Sequence, residues 1–262
     1  LIAEGRSGLQ KLNRNKVARY QIILAYDGTS LSGSQRQATA RTAQSELEKA
    51  LRRLGWQEQS VLLAGRTDSG VHATGQVAAF DLIWNHSDEA LVRALNSNLP
   101  QEMAVSAAKI VLDDFHPRFD AVSRRYCYRL YCQPLRSPLR DRYAWRQWPV
   151  PDFVVLQEAA QFLTGKHDFA AFGTPPRPES SSVRTVMKAE WQNLGDEWTF
   201  EVQADAFLYH MVRRLVFVQL VVGQGKFPVQ GIAEMLESGT AVIPAGLAPA
   251  SGLTLVEVMY KE

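Results

Sequence analysis

Cysteine is almost missing from this chain: Cys127 and Cys132 are the only two in 262 residues. Five positions apart on a stretch that reads as a strand, they point to opposite faces, which argues against a mutual disulfide. No C-x-x-C pair and no His/Cys cluster with metal-ligand spacing occurs. The expectation is therefore a reduced, intracellular protein with no metal. Long apolar runs are missing too. The longest lies near Leu215 to Val222, far too short to cross a bilayer, so no membrane partner is expected. An excess of one charge is also missing, since 29 Lys and Arg stand against 27 Asp and Glu. Bulk charge thus announces no polyanionic ligand. Gly223-Gln224-Gly225 is too little for a dinucleotide fingerprint and no P-loop is present, so no cofactor is expected.

What is present is an ordinary globular composition, 46% hydrophobic and 21% charged, enough for a sizeable core. Basic residues are unevenly placed. They crowd Arg118 to Arg146 and pair at Arg213-Arg214, which suits one phosphate-binding face as well as it suits solvated edges. Residues 1–17 are polar and basic without the apolar centre of a signal peptide. They read as a flexible lead-in, with the cytoplasm as the expected location.

Hydrophobic period divides the remainder. Val17 to Tyr26 reads as a strand ended by Asp27-Gly28, and Leu31 to Ala40 as a loop. Ala43, Leu47, Ala50, Leu51 and Leu54 share a helical face closed by Gly55. Val61 to Ala64 is a short strand, Gly65 to Thr74 a loop, and Gln76 to Asp81 a strand. Ser87 caps a second helix, and Ala104 to Val111 ends a β-α-β-β-α-β series of ferredoxin-like type over residues 18–112. Residues 113–262 form a second half. It has a long strand from Phe119 to Gln133, a proline-rich covering segment from Pro134 to Pro151, and a helix from Phe153 to Thr164. A strand pair follows over Val183 to Gln192 and Trp198 to Ala206, then a helix from Leu208 to about Val222. A short helix begins at Pro228, and a closing strand runs from Leu253 to Tyr260. The predicted fold class is α+β: two ferredoxin-like halves with mostly antiparallel sheets flanked by helices, and a cleft between them.

Gly65-Arg66-Thr67-Asp68-Ser69-Gly70-Val71-His72-Ala73 is the most informative stretch. Its glycines let the chain turn sharply and let a ligand approach the backbone. On pattern alone, Asp68 reads equally as the Asx residue of a structural turn. Tyr126, taken by itself, reads as sheet core, and Arg213 as a helix surface charge. His86, His167 and His210 read as structural at least as well as catalytic.

The stretch GRTDSGVHATGQVAAF, Gly65 to Phe80, resembles the signature of the TruA family of tRNA pseudouridine synthases. Seven further segments agree in order. They are YDGT at Tyr26, FHPRFDA at Phe115, RRYCYRL at Arg124, HDFAAF at His167, VRTV at Val183, FLYHMVRRLV at Phe207 and APASGLTLVEV at Ala248. The resemblance implies that Asp68 is the catalytic carboxylate. It implies that Arg66 helps the target base leave the RNA stack, that Tyr126 stacks on the flipped uracil and that Arg213 pairs with Asp68. The implied activity is isomerisation of uridine to pseudouridine at positions 38 to 40, in the anticodon stem-loop of tRNA, by a homodimer with no small-molecule cofactor. His72 and His116 are expected to line the cleft without an acid–base role. One departure is plain. The family usually shows Gly-Trp-Gln where this chain has Gly33-Ser34-Gln35, which puts the packing or RNA contact of that loop in question. A non-catalytic RNA-binding or RNA-folding protein and a hydrolase releasing uracil are the alternatives.

Overall fold

The computed structural model describes residues 16–177, 179–238 and 244–261; most of the expected lead-in lies outside them. Strand β1 (Val17–Tyr26) turns Tyr20, Ile22, Leu24 and Tyr26 inward, all buried, as the two-residue period requires. Helix α1 (Ala43–Arg53) begins at a capping box in which Thr42 and Ser45 satisfy each other's backbone N–H groups. It buries Ala43, Leu47, Ala50 and Leu51. Then come β2 (Leu62–Leu63), β3 (His72–Ile83), α2 (Asp88–Asn96), capped by Ser87, and β4 (Met103–Ile110). The second half runs β5 (Ala121–Tyr131), β6 (Trp145–Arg146), α3 (Phe153–Gln161), β7 (Gly165–Asp168), β8 (Val183–Leu194) and β9 (Glu197–Ala204). Helices α4 (Met211–Gly223) and α5 (Gln230–Ser238) and strand β10 (Leu253–Tyr260) complete it.

The two halves share one sheet, ordered β4-β1-β3-β10-β5-β9-β8-β7, with β2 added on β3 and β6 on β5. Within the first half the order is β4-β1-β3-β2, and within the second β10-β5-β9-β8. Both are β-α-β-β-α-β units with the same strand order, so a repeat absent at residue level is present in topology. The junction is a short parallel contact of Thr254 and Leu255 with His72 and Ala73. Every other main pairing is antiparallel, apart from the two-residue β5–β6 contact.

Several boundaries move for reasons that lie far away in sequence. The loop expected over Gly65 to Thr74 ends at Val71, because His72 and Ala73 already pair with β10. Strand β5 starts at Ala121 rather than Phe119, since the preceding residues close a turn between His116 and Asp120. Helix α4 starts at Met211 rather than Leu208. Tyr209 exchanges backbone hydrogen bonds with Thr174, and His210 is left-handed at φ 65°. Strand β7 was not anticipated, because Gly-Lys-His-Asp carries no β-branched or apolar signal. Gly223 has a packing role: a Cβ there would stand 2.8 Å from Leu156 Cδ2, so its absence lets α3 approach α4.

Candidate active site

The loop between β2 and β3 is pinned at nearly every residue. Gly65 exchanges two hydrogen bonds with the buried Gln76 side chain, at 3.3 and 2.9 Å. The Thr67 hydroxyl meets the buried Tyr26 hydroxyl at 2.8 Å. The Thr67 backbone is clasped on both sides by Ser34: its N–H donates to Ser34 Oγ at 2.8 Å, and its C=O accepts the Ser34 N–H at 3.0 Å. Gly33, at φ +87°, brings the clasp close, since a Cβ there would lie 2.7 Å from Thr67 O. Asp68 follows directly, so it stands on a loop whose geometry is set before any ligand arrives.

Ser34 therefore answers the departure noted in the sequence. It is fully buried and holds the carboxylate loop from beneath. Ser34→Ala would leave the buried Thr67 N–H without its acceptor, a cost of about 1–3 kcal/mol. The expected result is a lowered urea midpoint of unfolding; an unchanged midpoint would mean that the clasp carries no stability.

Asp68 Oδ2 receives Arg213 Nη1 at 2.8 Å and lies 3.4 Å from His210 Nε2. Arg213 comes from the first turn of α4 and is itself held, its Nε donating to Ala248 O at 2.7 Å. The N-terminus of α4 adds positive potential on the same side. Asp68 Oδ1 accepts no hydrogen bond among the described residues. One carboxylate oxygen is thus anchored by the Arg213 guanidinium, and the other has no such partner among the described residues.

The cleft in front of Asp68 has a volume of about 730 Å³, and Arg66, Asp68, Tyr126 and Arg213 all line it. That size suits a nucleoside-scale ligand. Tyr126, on β5, is 8% exposed and meets the Phe207 ring edge-on at 5.0 Å. Burial pushes its phenol pKa well up, so it is protonated and offers a neutral ring face. Arg66 is exposed and makes no ion pair or hydrogen bond among the described residues.

One of the two histidines expected in the cleft stands elsewhere. His116 lines the cleft, but His72 does not; it lines a separate hollow of about 310 Å³ with Asp27 and Tyr143. His72 is buried, and its Nδ1 accepts the Gly28 N–H at 3.0 Å. An accepting Nδ1 carries no proton, so its 3.2 Å approach to Asp27 is not a charged pair. Burial outweighs Asp27 and lowers the His72 pKa below the ordinary 6.5. The unfolded chain then binds this proton more readily, so the His72 contribution is complete above about pH 6.5 and is lost as pH falls below it. His72→Asn, whose amide oxygen can replace Nδ1 as acceptor, should flatten the loss of unfolding free energy between pH 7.5 and 5.5. An unchanged slope would assign the acid sensitivity elsewhere.

Arg124 was not singled out from the sequence. It is partly buried and donates to four backbone carbonyls: Ala121, Asp205 (2.8 Å), Ala64 (3.3 Å) and Arg118 (2.5 Å). It thereby ties the base of the Asp68 loop to both other cleft walls. The signal was available, because Arg124 shares a strand face with Tyr126, Tyr128 and Leu130. A cation in register with buried aromatics is a candidate for a structural or site role. His210 was read as structural at least as well as catalytic, and its position 3.4 Å from Asp68 depended on a left-handed residue that the sequence does not announce.

A family model described as tRNA pseudouridine synthase matches residues 22–120 and 159–261. The chain belongs to that family. Among curated relatives, a tRNA pseudouridine synthase A of Limosilactobacillus fermentum is 41% identical over 251 residues, covering 92% of this chain and 96% of the relative. One of Chloroflexus aurantiacus is 40% identical over 246 residues, covering 91% and 87%. One of Colwellia psychrerythraea is 38% identical over 244 residues, covering 93% and 94%. The synthase is therefore an isomerase, and the cleft that holds Asp68 is its candidate active site.

Proposed function

We propose that this synthase converts uridine to pseudouridine in the anticodon stem-loop of tRNA, at positions 38 to 40, with Asp68 as the catalytic carboxylate. In this isomerisation the N1–C1′ bond breaks, the base turns, and C5 bonds to C1′. C5 gives up a proton and N1 ends with one, so nothing is oxidised or hydrolysed. The observation that carries the reading is the asymmetry of Asp68. Oδ2 is anchored by Arg213 while Oδ1 accepts no hydrogen bond among the described residues, and Asp68 lines the cleft. A preorganised, correctly aimed carboxylate lowers the barrier without reorganising during the reaction. Tyr126 supplies a stacking face for the extruded uracil. Arg66, exposed and without an ion pair or hydrogen bond among the described residues, would fill the gap the base leaves in the helix, which offsets part of the few kcal/mol that base extrusion costs. We read the working form as a cytoplasmic homodimer with one tRNA spanning both subunits, as the resemblance implies. Among the described residues no helix is long and apolar enough to cross a membrane.

The test is incubation with unmodified tRNA transcript in the presence of chelator and without added cofactor. Pseudouridine is then mapped by carbodiimide modification and primer extension. Stops confined to the anticodon stem-loop support the reading. Bound tRNA without pseudouridine would point to a binding protein, and released uracil to a hydrolase.

A further inference from the structure

The segment joining β4 to β5 carries two phenylalanines with opposite fates. Phe115 packs on the Tyr260 ring at 5.2 Å, whereas Phe119 is 75% exposed and lines the cleft mouth. An exposed phenylalanine on a loose loop would mean little. This loop is not loose. Asp120 receives the His116 N–H at 2.7 Å, and the His116 C=O accepts the Asp120 N–H at 3.1 Å. His116 Nδ1 accepts the Arg118 N–H at 3.1 Å, and the Tyr260 hydroxyl donates to Pro117 O at 2.7 Å. Arg19 reaches Phe115 O at 3.2 Å and Arg124 reaches Arg118 O at 2.5 Å. The ring is thus held in water by a fixed frame, although burying a phenylalanine is worth about 1.5–3 kcal/mol.

What completes such a ring must be flat, apolar on its face and attached to negative charge. The His116 ring lies 4.2 Å from Phe119, and the Arg118 guanidinium stands 5.9 Å from its centroid. An aromatic pair flanked by a cation matches a nucleobase with its phosphate, and base–aromatic stacking of this kind tolerates any sequence. The site lies at the mouth, whereas Asp68 and the nearly buried Tyr126 form the floor, so the occupant differs from the reacting uracil. We propose that Phe119 is a stacking platform for an unpaired nucleobase neighbouring the target uridine, with Arg118 taking its phosphate. This rests on the reading of the cleft as an RNA site and adds a second base position to it.

Phe119→Ala and Phe119→Trp are compared with the unaltered protein on tRNA transcript. Phe119→Ala should raise the Kd for tRNA between about 5- and 150-fold, leave saturating single-turnover rate within about twofold, and leave the melting temperature undiminished; Phe119→Trp should restore binding. Abasic substitution of nucleotides flanking the target identifies the base. At one such position the unaltered protein should fall to the affinity of Phe119→Ala, which loses nothing further. Equal tRNA affinity of Phe119→Ala and the unaltered protein would overturn the proposal. So would a change in sedimenting mass, which would make Phe119 a contact between protein chains. If the unaltered protein neither binds tRNA nor makes pseudouridine, the underlying reading fails instead.

Discussion

Asp68→Asn is expected to abolish pseudouridine formation, by about 10⁴-fold or more, as loss of a single indispensable catalytic group does elsewhere. The substitution keeps the shape of the side chain, and the amide oxygen can still accept Arg213 Nη1, now 2.8 Å from Oδ2. What it removes is the negative charge and the oxygen proposed to act as nucleophile or base. Because the loop is held through Gly65, Thr67 and Ser34 rather than through Asp68, the fold and the tRNA affinity should persist. Gel-shift titration and single-turnover assay on the same transcript separate the two effects. Turnover retained within tenfold would remove Asp68 from the mechanism.

Arg213→Ala is expected to lower the saturating rate by about 10²-fold, the scale set by a misplacement of roughly 1 Å in a reacting group. The guanidinium does two things at once, bridging Ala248 O and Asp68 Oδ2. A lysine has one nitrogen and cannot reproduce that fork, so Arg213→Lys should recover only a small part of the rate. Neither variant should change tRNA affinity by more than a few-fold. An equal loss of rate and affinity would instead make Arg213 a phosphate contact.

The two roles differ in how visible they were. Asp68, Arg66, Tyr126 and Arg213 were found through ordered motif matches, and the structure brings all four to one cleft. Residue pattern alone would have left Tyr126 in the sheet core and Arg213 on a helix surface. Their relation to Asp68 is a contact across 145 residues for Arg213, and no local period encodes such a distance. Ser34 shows the reverse. The sequence marked it as a departure, but only its burial and its clasp on Thr67 reveal that it supports the loop. Arg124 and His210 needed tertiary information outright. One satisfies carbonyls from three separate segments, and the other depends on a left-handed turn before α4.

By itself the sequence determined the strands and helices whose signal is local. The inward alternation of β1, the Thr42 and Ser87 caps and the apolar face of α1 all depend on neighbours within a few residues. It also determined the family, because ordered motifs survive without knowledge of contacts. Tertiary structure alone decided that the two halves share one sheet, through a parallel contact of two residue pairs between β3 and β10. It decided too which Asp68 oxygen accepts Arg213 and that Phe119 stands exposed on a fixed frame. Each of those depends on partners far away along the chain, and hydrophobic period carries no information about which distant segments will meet.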